Sequence, residues 1–227
     1  MGKKNFYRTA VGSIEKERLE EFEEPTRVSL EILDGLEFTS LIDAGAGPNT
    51  ELALYVTKQR AAQYTGFDIR EDFTTALRDN LGAERISARV LSADIRLIPS
   101  RVGRADIVHE RFVLTHLSVD DRSKALNELL NIANDKVILM EYNWRPMRST
   151  AHSPMLRRFI EASAEAMEPF NINPFLGESL PGLINGMAYV RSISSPPRSM
   201  SLSSRFNGSR QSVASSFRPG FTKARVF

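Results

Sequence analysis

The sequence predicts an α/β fold, a mostly parallel, twisted sheet with helices on both faces, and three observations carry that reading. The apolar run Thr39-Ser40-Leu41-Ile42 ends in a tight small-residue turn, Asp43-Ala44-Gly45-Ala46-Gly47-Pro48-Asn49. A helical pattern with Leu52, Tyr55 and Val56 on one side follows directly. Four more apolar runs come later, each closing on polar residues, with helical periodicity between them. Such βα alternation with right-handed crossovers builds a parallel sheet. Glycine lets a backbone approach a ligand and a helix start offers unpaired N–H groups, so the first turn reads as a pocket for a nucleotide-type ligand.

Taken in order, residues 13–36 read as two helical pieces interrupted at Pro25. The first sets Leu19 and Phe22 among Glu15, Glu17, Glu20, Glu21, Glu23 and Glu24, which suits a solvated acidic face over an apolar stripe. The second carries Val28, Ile32, Leu33 and Leu36 at i, i+4, i+5 and i+8. The second strand, Gln63 to Asp68, ends in an acid, and a carboxylate at that tip can accept both hydroxyls of a ribose. The third, Ala88 to Ile95, carries Ala93-Asp94, and the fourth, Ala105 to His109, runs into Glu110–Leu117. A helix begins near Ser118-Val-Asp-Asp121, a capping pattern, and its apolar positions are Leu126, Leu129, Leu130 and Ala133. The fifth strand, Lys136 to Glu141, runs into Tyr142-Asn143-Trp144. Polar tips therefore collect at one end of the sheet, where open α/β folds bind ligands. Residues 153–169 form a further helix, and Phe170–Leu176 is a loop with apolar side chains.

This ordered set resembles the class I S-adenosylmethionine-dependent methyltransferases, a Rossmann-like fold, over about residues 13–190. The family's first motif, acid-x-Gly-x-Gly-x-Gly, stands here as Asp43-Ala44-Gly45-Ala46-Gly47-Pro48-Asn49, with Asn49 in place of the last glycine. Asparagine tolerates a left-handed conformation, so the turn is expected to survive. The resemblance implies that the loop of Gly45 and Gly47 lies against the methionine part of the cofactor S-adenosylmethionine. It implies that Asp68, with Ile69 beside it, holds the ribose, that Ala93, Asp94 and Ile95 flank the adenine, and that His109 or Glu110 borders the methionine end. Arg111 then holds a carboxylate of cofactor or substrate, or pairs with Glu110 or a neighbouring helix. The stretch Gly177-Glu-Ser-Leu-Pro-Gly-Leu-Ile184 is similar to the Gly-x-x-Leu-Pro segment before the family's sixth strand. The glycine turn alone is common to many α/β proteins; the conjunction is what is specific.

Composition bounds the rest. A chain of 227 residues buries a sizeable core as one ordinary domain. Without cysteine there is no disulfide, zinc–thiolate cluster or thiol nucleophile, and three histidines (His109, His116, His152) do not suggest a metal site. Met1-Gly-Lys-Lys-Asn lacks a signal peptide's apolar stretch, Phe6 stands where a myristoylation signal needs Ser or Thr, and no run reaches membrane-spanning length. The expected location is the cytoplasm, without a membrane or nucleic-acid partner, as monomer or homodimer. The formal charge of +2 hides a split: residues 187–227 carry +7 and the preceding 186 residues carry −5. A basic calculated pI thus does not argue for a nucleic-acid substrate.

The organisation read from the chain is an N-terminal helical cap (1–38), a core (39–190) and a Ser/Arg-rich tail (191–227). Residues 192–220 hold serine at 11 positions, and the last acid of the chain is Glu178. The family fold still needs two strands here, and the pattern offers only Tyr189–Ile193 and, weakly, Phe221–Phe227, so the C-terminal strands are expected to be incomplete. A disordered basic tail and an altered, frameshifted C-terminus both fit this composition.

Methyl transfer from a sulfonium is an in-line displacement in which orientation alone can supply about 7–11 kcal/mol, so a general base is optional. Candidate bases are His109, His116 and Glu141. Tyr142 and Trp144 offer an aromatic wall, and Met155, Phe159, Phe170 and Phe175 are candidate pocket residues or ordinary core. No serine–histidine–acid order, zincin motif or Walker loop is present. The function expected is methylation of an O or N atom of a small molecule. The alternatives are an RNA or protein methyltransferase, a silent homologue and a nicotinamide-dependent oxidoreductase. The last is disfavoured by Thr50 at the third fingerprint position and by the lack of a Tyr-x-x-x-Lys pair.

Overall fold

The polar ends of five parallel strands meet at one edge of a seven-stranded sheet, as the alternation requires. The computed structural model describes residues 25–144, 153–183, 191–193 and 223–226. The expected helical piece 13–24, His152 and most of the Ser/Arg-rich stretch lie outside the described residues. Helix α1 covers 25–34 and starts at Pro25, whose fixed φ suits a first turn. Strand β1 is Ser40–Ala44, β2 Gln63–Asp68, β3 Arg89–Ser92, β4 Ala105–Arg111 and β5 Ala133–Glu141. Helix α2 (Glu51–Leu54) runs on as a π-helical turn, Tyr55–Gln59; α3 is Glu71–Ala83, α4 Val119–Ile132, α5 Pro154–Met167 and α6 Leu176–Leu183. Strands β6 (Arg191–Ile193) and β7 (Lys223–Val226) complete the sheet in the order β3-β2-β1-β4-β5-β7-β6.

Strands β1 to β5 pair in parallel, with Asp43 opposite His109 and Gly66. β7 lies antiparallel between β5 and β6, so β6 falls within the expected Tyr189–Ile193 and β7 within the weaker Phe221–Phe227, and the expectation of incomplete C-terminal strands is corrected. Their insertion covers the outer edge of β5, which would otherwise present unpaired backbone groups.

Period-2 alternation sends β-strand side chains to two cores. Leu41, Ile107, Ile138 and Met140 pack with Ile32 and Leu33 of α1 and with Leu52, Tyr55 and Val56. Ile42, Ala44, Val108, Val137 and Leu139 pack with Leu126 and Leu129 of α4 and with Leu176 and Leu180 of α6. Two boundaries differ from expectation. Ala133, read as helical, already belongs to β5, because α4 passes into the strand without a connecting turn. β3 spans only Arg89–Ser92, and beyond it Asp94 turns back to bridge Leu97. The expected cap holds: Asp121 N donates to Ser118 Oγ at 3.2 Å.

Gly177 is the hinge pin of the α6 start. A Cβ there would stand 2.9 Å from the carbonyl oxygens of both Glu141 and Tyr142, while Gly177 N donates to the latter at 2.7 Å. Gly177→Ala is expected to lower stability by about 1–3 kcal/mol through overpacking against backbone that cannot yield, read by denaturant titration.

Candidate active site

The glycine turn is built by its own backbone. Gly45 (φ +77°) and Gly47 (φ +59°) adopt left-handed conformations, and Gly45 N and Ala46 N both donate to Phe67 O, at 2.8 and 3.0 Å. Asn49 needs no left-handed conformation: the described positive-φ residues omit it. Its Oδ1 instead accepts from Glu51 N at 2.8 Å, so the residue at the third glycine position forms an Asx turn that leads into α2. That corrects the expected reason for its tolerance.

The two glycines face different surroundings. A Cβ on Gly45 would fall 2.1 Å from Val113 Cγ2, whereas a Cβ on Gly47 would meet nothing within 4 Å. The loop therefore opens at Gly47, and at Gly45 it is packed by the turn after β4. Asp68 reaches from the β2 tip to this opening: its Oδ2 accepts from Gly47 N (3.1 Å) and its Oδ1 from Arg70 N (2.9 Å). Burial pushes the Asp68 carboxyl up, and these two N–H donors offset part of that rise.

Beyond Asp68 lies a cavity of about 640 Å³ lined by Ile69, Ser92, Ala93, Asp94, Leu97 and Ile98, among others. Ile69 is 60% and Leu97 77% exposed, two large apolar side chains held at the mouth of a cavity. Ile95, expected beside them, turns inward and joins the core around Phe67 and Ala93, and Leu97 stands in its place. Asp94 is gripped by Arg96, Nη2 to Oδ2 at 2.6 Å and Nε to Oδ1 at 2.9 Å, with Asp121 on the other guanidinium nitrogen at 3.2 Å. The Arg96 hydrogen bond holds the Asp94 carboxyl below the ordinary range.

On the α1 face of the sheet, Asp43 and His109 lie inside the protein. Asp43 Oδ1 bonds His109 Nδ1 at 2.9 Å, His109 Nε2 bonds Ser29 Oγ at 3.0 Å, and Tyr64 Oη donates to Asp43 Oδ2 at 2.9 Å. Three elements thus assemble an acid–histidine–serine chain whose order along the sequence gives no sign of it. His109 is fully buried and Ser29 1% exposed, so no substrate reaches this chain and it ties α1 to the sheet. Burial alone would raise Asp43, but the His109 hydrogen bond and charge, with Arg111 and Tyr64, bring it below the usual value. Arg111 Nη1 donates to Thr26 Oγ1 at 2.7 Å. Burial pulls the Arg111 guanidinium down, and the charge of Asp43 leads the groups that oppose this, with Glu51 and Tyr142 among them.

On the other face, Glu110 and Glu141 are buried under the turn that follows β4. Neither His109 nor Glu141, both expected as bases, presents its side chain to the opening at Gly47. His116 is half-buried on the 3₁₀ turn Leu114–His116. Of the expected aromatic wall, Tyr142 stacks on Phe112 (centroids 4.1 Å apart, planes at 10°), and Trp144 packs with Ile160, Met167 and Phe175. Met155 and Phe159 do not join that cluster; they stand 80% and 53% exposed on α5.

Comparison with known proteins bears on this architecture. Residues 41–136 match the family model described as a methyltransferase domain. No curated protein matches the chain in sequence. Among solved structures, the methyltransferase domain of bacterial CtHen1-C shares 13% identity at a TM-score of 0.63, covering 91% of this chain and 97% of that one. Magnesium protoporphyrin IX methyltransferase (ChlM) from Synechocystis PCC 6803 with bound SAH shares 15% at 0.61, covering 100% and 88%. The plantazolicin methyltransferase BpumL in complex with SAH shares 16% at 0.56, covering 84% and 80%. The methyltransferase-domain match is confined to residues 41–136, and the solved structures share the Rossmann-like fold of this chain. No described helix is long and apolar enough to cross a membrane.

Proposed function

We propose that this chain binds S-adenosylmethionine across the Gly47 opening and the β2–β3 cavity and methylates an O or N atom of a small molecule. The observation that carries the reading is the convergence at one sheet edge of an open glycine, the Asp68 carboxylate and a cavity flanked by exposed Ile69 and Leu97. Gly47 leaves room for a ligand, Asp68 keeps lone pairs for two ribose hydroxyls, and the two apolar side chains suit the faces of a purine. Arg111, at the end of β4, is the residue this reading assigns to the cofactor carboxylate. Such a cofactor supplies a methyl group already activated on a sulfonium.

The protein's share is then orientation and exclusion of water. The burial of His109 and Glu141 favours an acceptor that needs no buried base, and His116 is the remaining candidate among the three. The test is incubation with methyl-labelled S-adenosylmethionine and parallel pools of small carboxylates, phenols and amines, of RNA, and of protein. Label entering a small-molecule pool supports the reading. Label confined to RNA or protein overturns the acceptor class, and binding without any transfer would favour a silent homologue.

A further inference from the structure

The turn that packs on Gly45 is held by an unusual foundation. Val113 N and Leu114 N donate to Glu110 Oε1 at 2.7 and 3.1 Å, and Thr115 N donates to Glu141 Oε1 at 3.1 Å. These are the N–H groups at the start of the 3₁₀ turn Leu114–His116, the ones a helix leaves without internal partners. Both carboxyls are buried, at 0% and 1% exposure. The remaining oxygen of each, Oε2, is enclosed and reached by no N–H or O–H donor among the described residues. The pairing of β4 with β5 sets Glu110 opposite Leu139, two residues before Glu141, so both carboxyls fall on the same face of the sheet.

Two carboxylates cannot share a hydrogen bond, since neither has a proton to donate, and two unpaired charges in one buried site repel strongly. One proton resolves both problems. Glu110 accepts from two N–H groups and Glu141 from one, so Glu110 is the better anion and the proton belongs on Glu141 Oε2, pointing at Glu110 Oε2.

We propose that Glu110 and Glu141 form a single-proton acid–carboxylate pair that latches turn 112–116 and so positions the wall of the methyl-transfer site. The latch fixes Phe112 at φ +60°, an uncommon conformation for a bulky residue, from which its ring lies on Tyr142. It also sets Val113 over Gly45. Arg122 of α4 fastens the same turn from below, donating from Nε to Leu114 O at 2.9 Å. The two glutamates are positioning residues and touch neither cofactor nor acceptor. The role at the active site rests on the proposed function, whereas the proton sharing does not.

The sign of the pH dependence follows from burial. Burial first, then the charge of Glu110, pushes Glu141 well above the carboxylate range, and burial raises Glu110 as well. The charged groups facing the pair are Asp43 on β1, which raises Glu110, and Arg122 on α4, which is attracted to Glu141. His116 lies on the turn itself, and the acid of α6, Glu178, is exposed. A folded-state pKa above the unfolded one gives stability that is complete below the unfolded value, near pH 4.3, and lost as pH rises toward the folded value.

Two readouts on the full chain test this without cofactor or acceptor, so their failure is distinct from failure of the functional reading. Near neutral pH, the infrared C=O stretch of a protonated carboxylic acid is expected in the wild type. It should vanish in Glu141→Gln, whose amide can still donate to Glu110. Over about pH 5 to 8 the wild-type unfolding constant should rise relative to that of Glu141→Gln by up to about tenfold per pH unit. Absence of the acid band in the wild type, or parallel pH curves for the two proteins, would overturn the proposal.

Discussion

Gly45→Ala is expected to destabilise the protein strongly. The new Cβ would stand 2.1 Å from Val113 Cγ2, and φ +77° is a region that an L-residue occupies at a cost of about 1–2 kcal/mol. Val113 cannot simply swing away, because its N–H is held by Glu110 Oε1 and the next two N–H groups are anchored in the same way. Overpacking adds about 1–3 kcal/mol, so a total near 3 kcal/mol would lower the unfolding midpoint by about 6–12 °C. Gly47→Ala makes an informative partner. It has the same strained sign of φ but open space for the Cβ, so only the conformational part of the loss is expected. A thermal melt of both variants checks the difference.

The second large effect is expected on ligand binding, from Asp68→Ala. This carboxylate holds Gly47 N and directly precedes Ile69, which lines the β2–β3 cavity, so it stands between the two halves of the proposed cofactor site. Hydrogen bonds to a charged acceptor contribute about 1.5–3 kcal/mol each, so losing two ribose contacts weakens affinity by at least about 100-fold. Stability should fall too, by about 1–3 kcal/mol, because two backbone donors lose their acceptor. Asp68→Asn keeps the shape and one acceptor oxygen, and an intermediate loss of affinity in a normally folded protein would place the effect on the ribose contacts. Because burial raises Asp68, the wild-type affinity should decline as pH falls through that raised value, where the carboxylate takes up a proton. Calorimetric titration with adenosylhomocysteine across pH reads both effects.

What could be seen in the chain beforehand was what local chemistry determines. Alternation and turn residues mark β1 to β5, the Ser118 cap marks the start of α4, and the acid at the end of Gln63–Asp68 marks the β2 tip. The residues that escaped are those whose partners come from elsewhere in the chain. Ser29, Asp43 and His109 belong to three elements, and only the register of β1 with β4 and the docking of α1 bring them together. Glu110 and Glu141 look like two separate polar strand ends until β4 and β5 pair and both side chains fall on the α4 face. Asn49 shows a subtler limit: the residue type was compatible with a left-handed turn, but its oxygen serves α2 instead. For Ile95, the chain's reversal at Asp94 breaks the strand alternation from which a face could be inferred. β6 and β7 are short strands of mixed composition whose place depends on the waiting edge of β5.

The central claim is that the Gly47 opening and the cavity beside Asp68 bind an adenosyl sulfur nucleoside. Thermal unfolding with S-adenosylmethionine, adenosylhomocysteine and NAD in parallel tests it most directly. A ligand at about 100 times its dissociation constant adds about 2.7 kcal/mol, which should raise the midpoint by about 5–11 °C. The account predicts that shift with both sulfur nucleosides and none with NAD. A folded protein that melts at the same temperature with and without the sulfur nucleosides, or that responds to NAD alone, would contradict it.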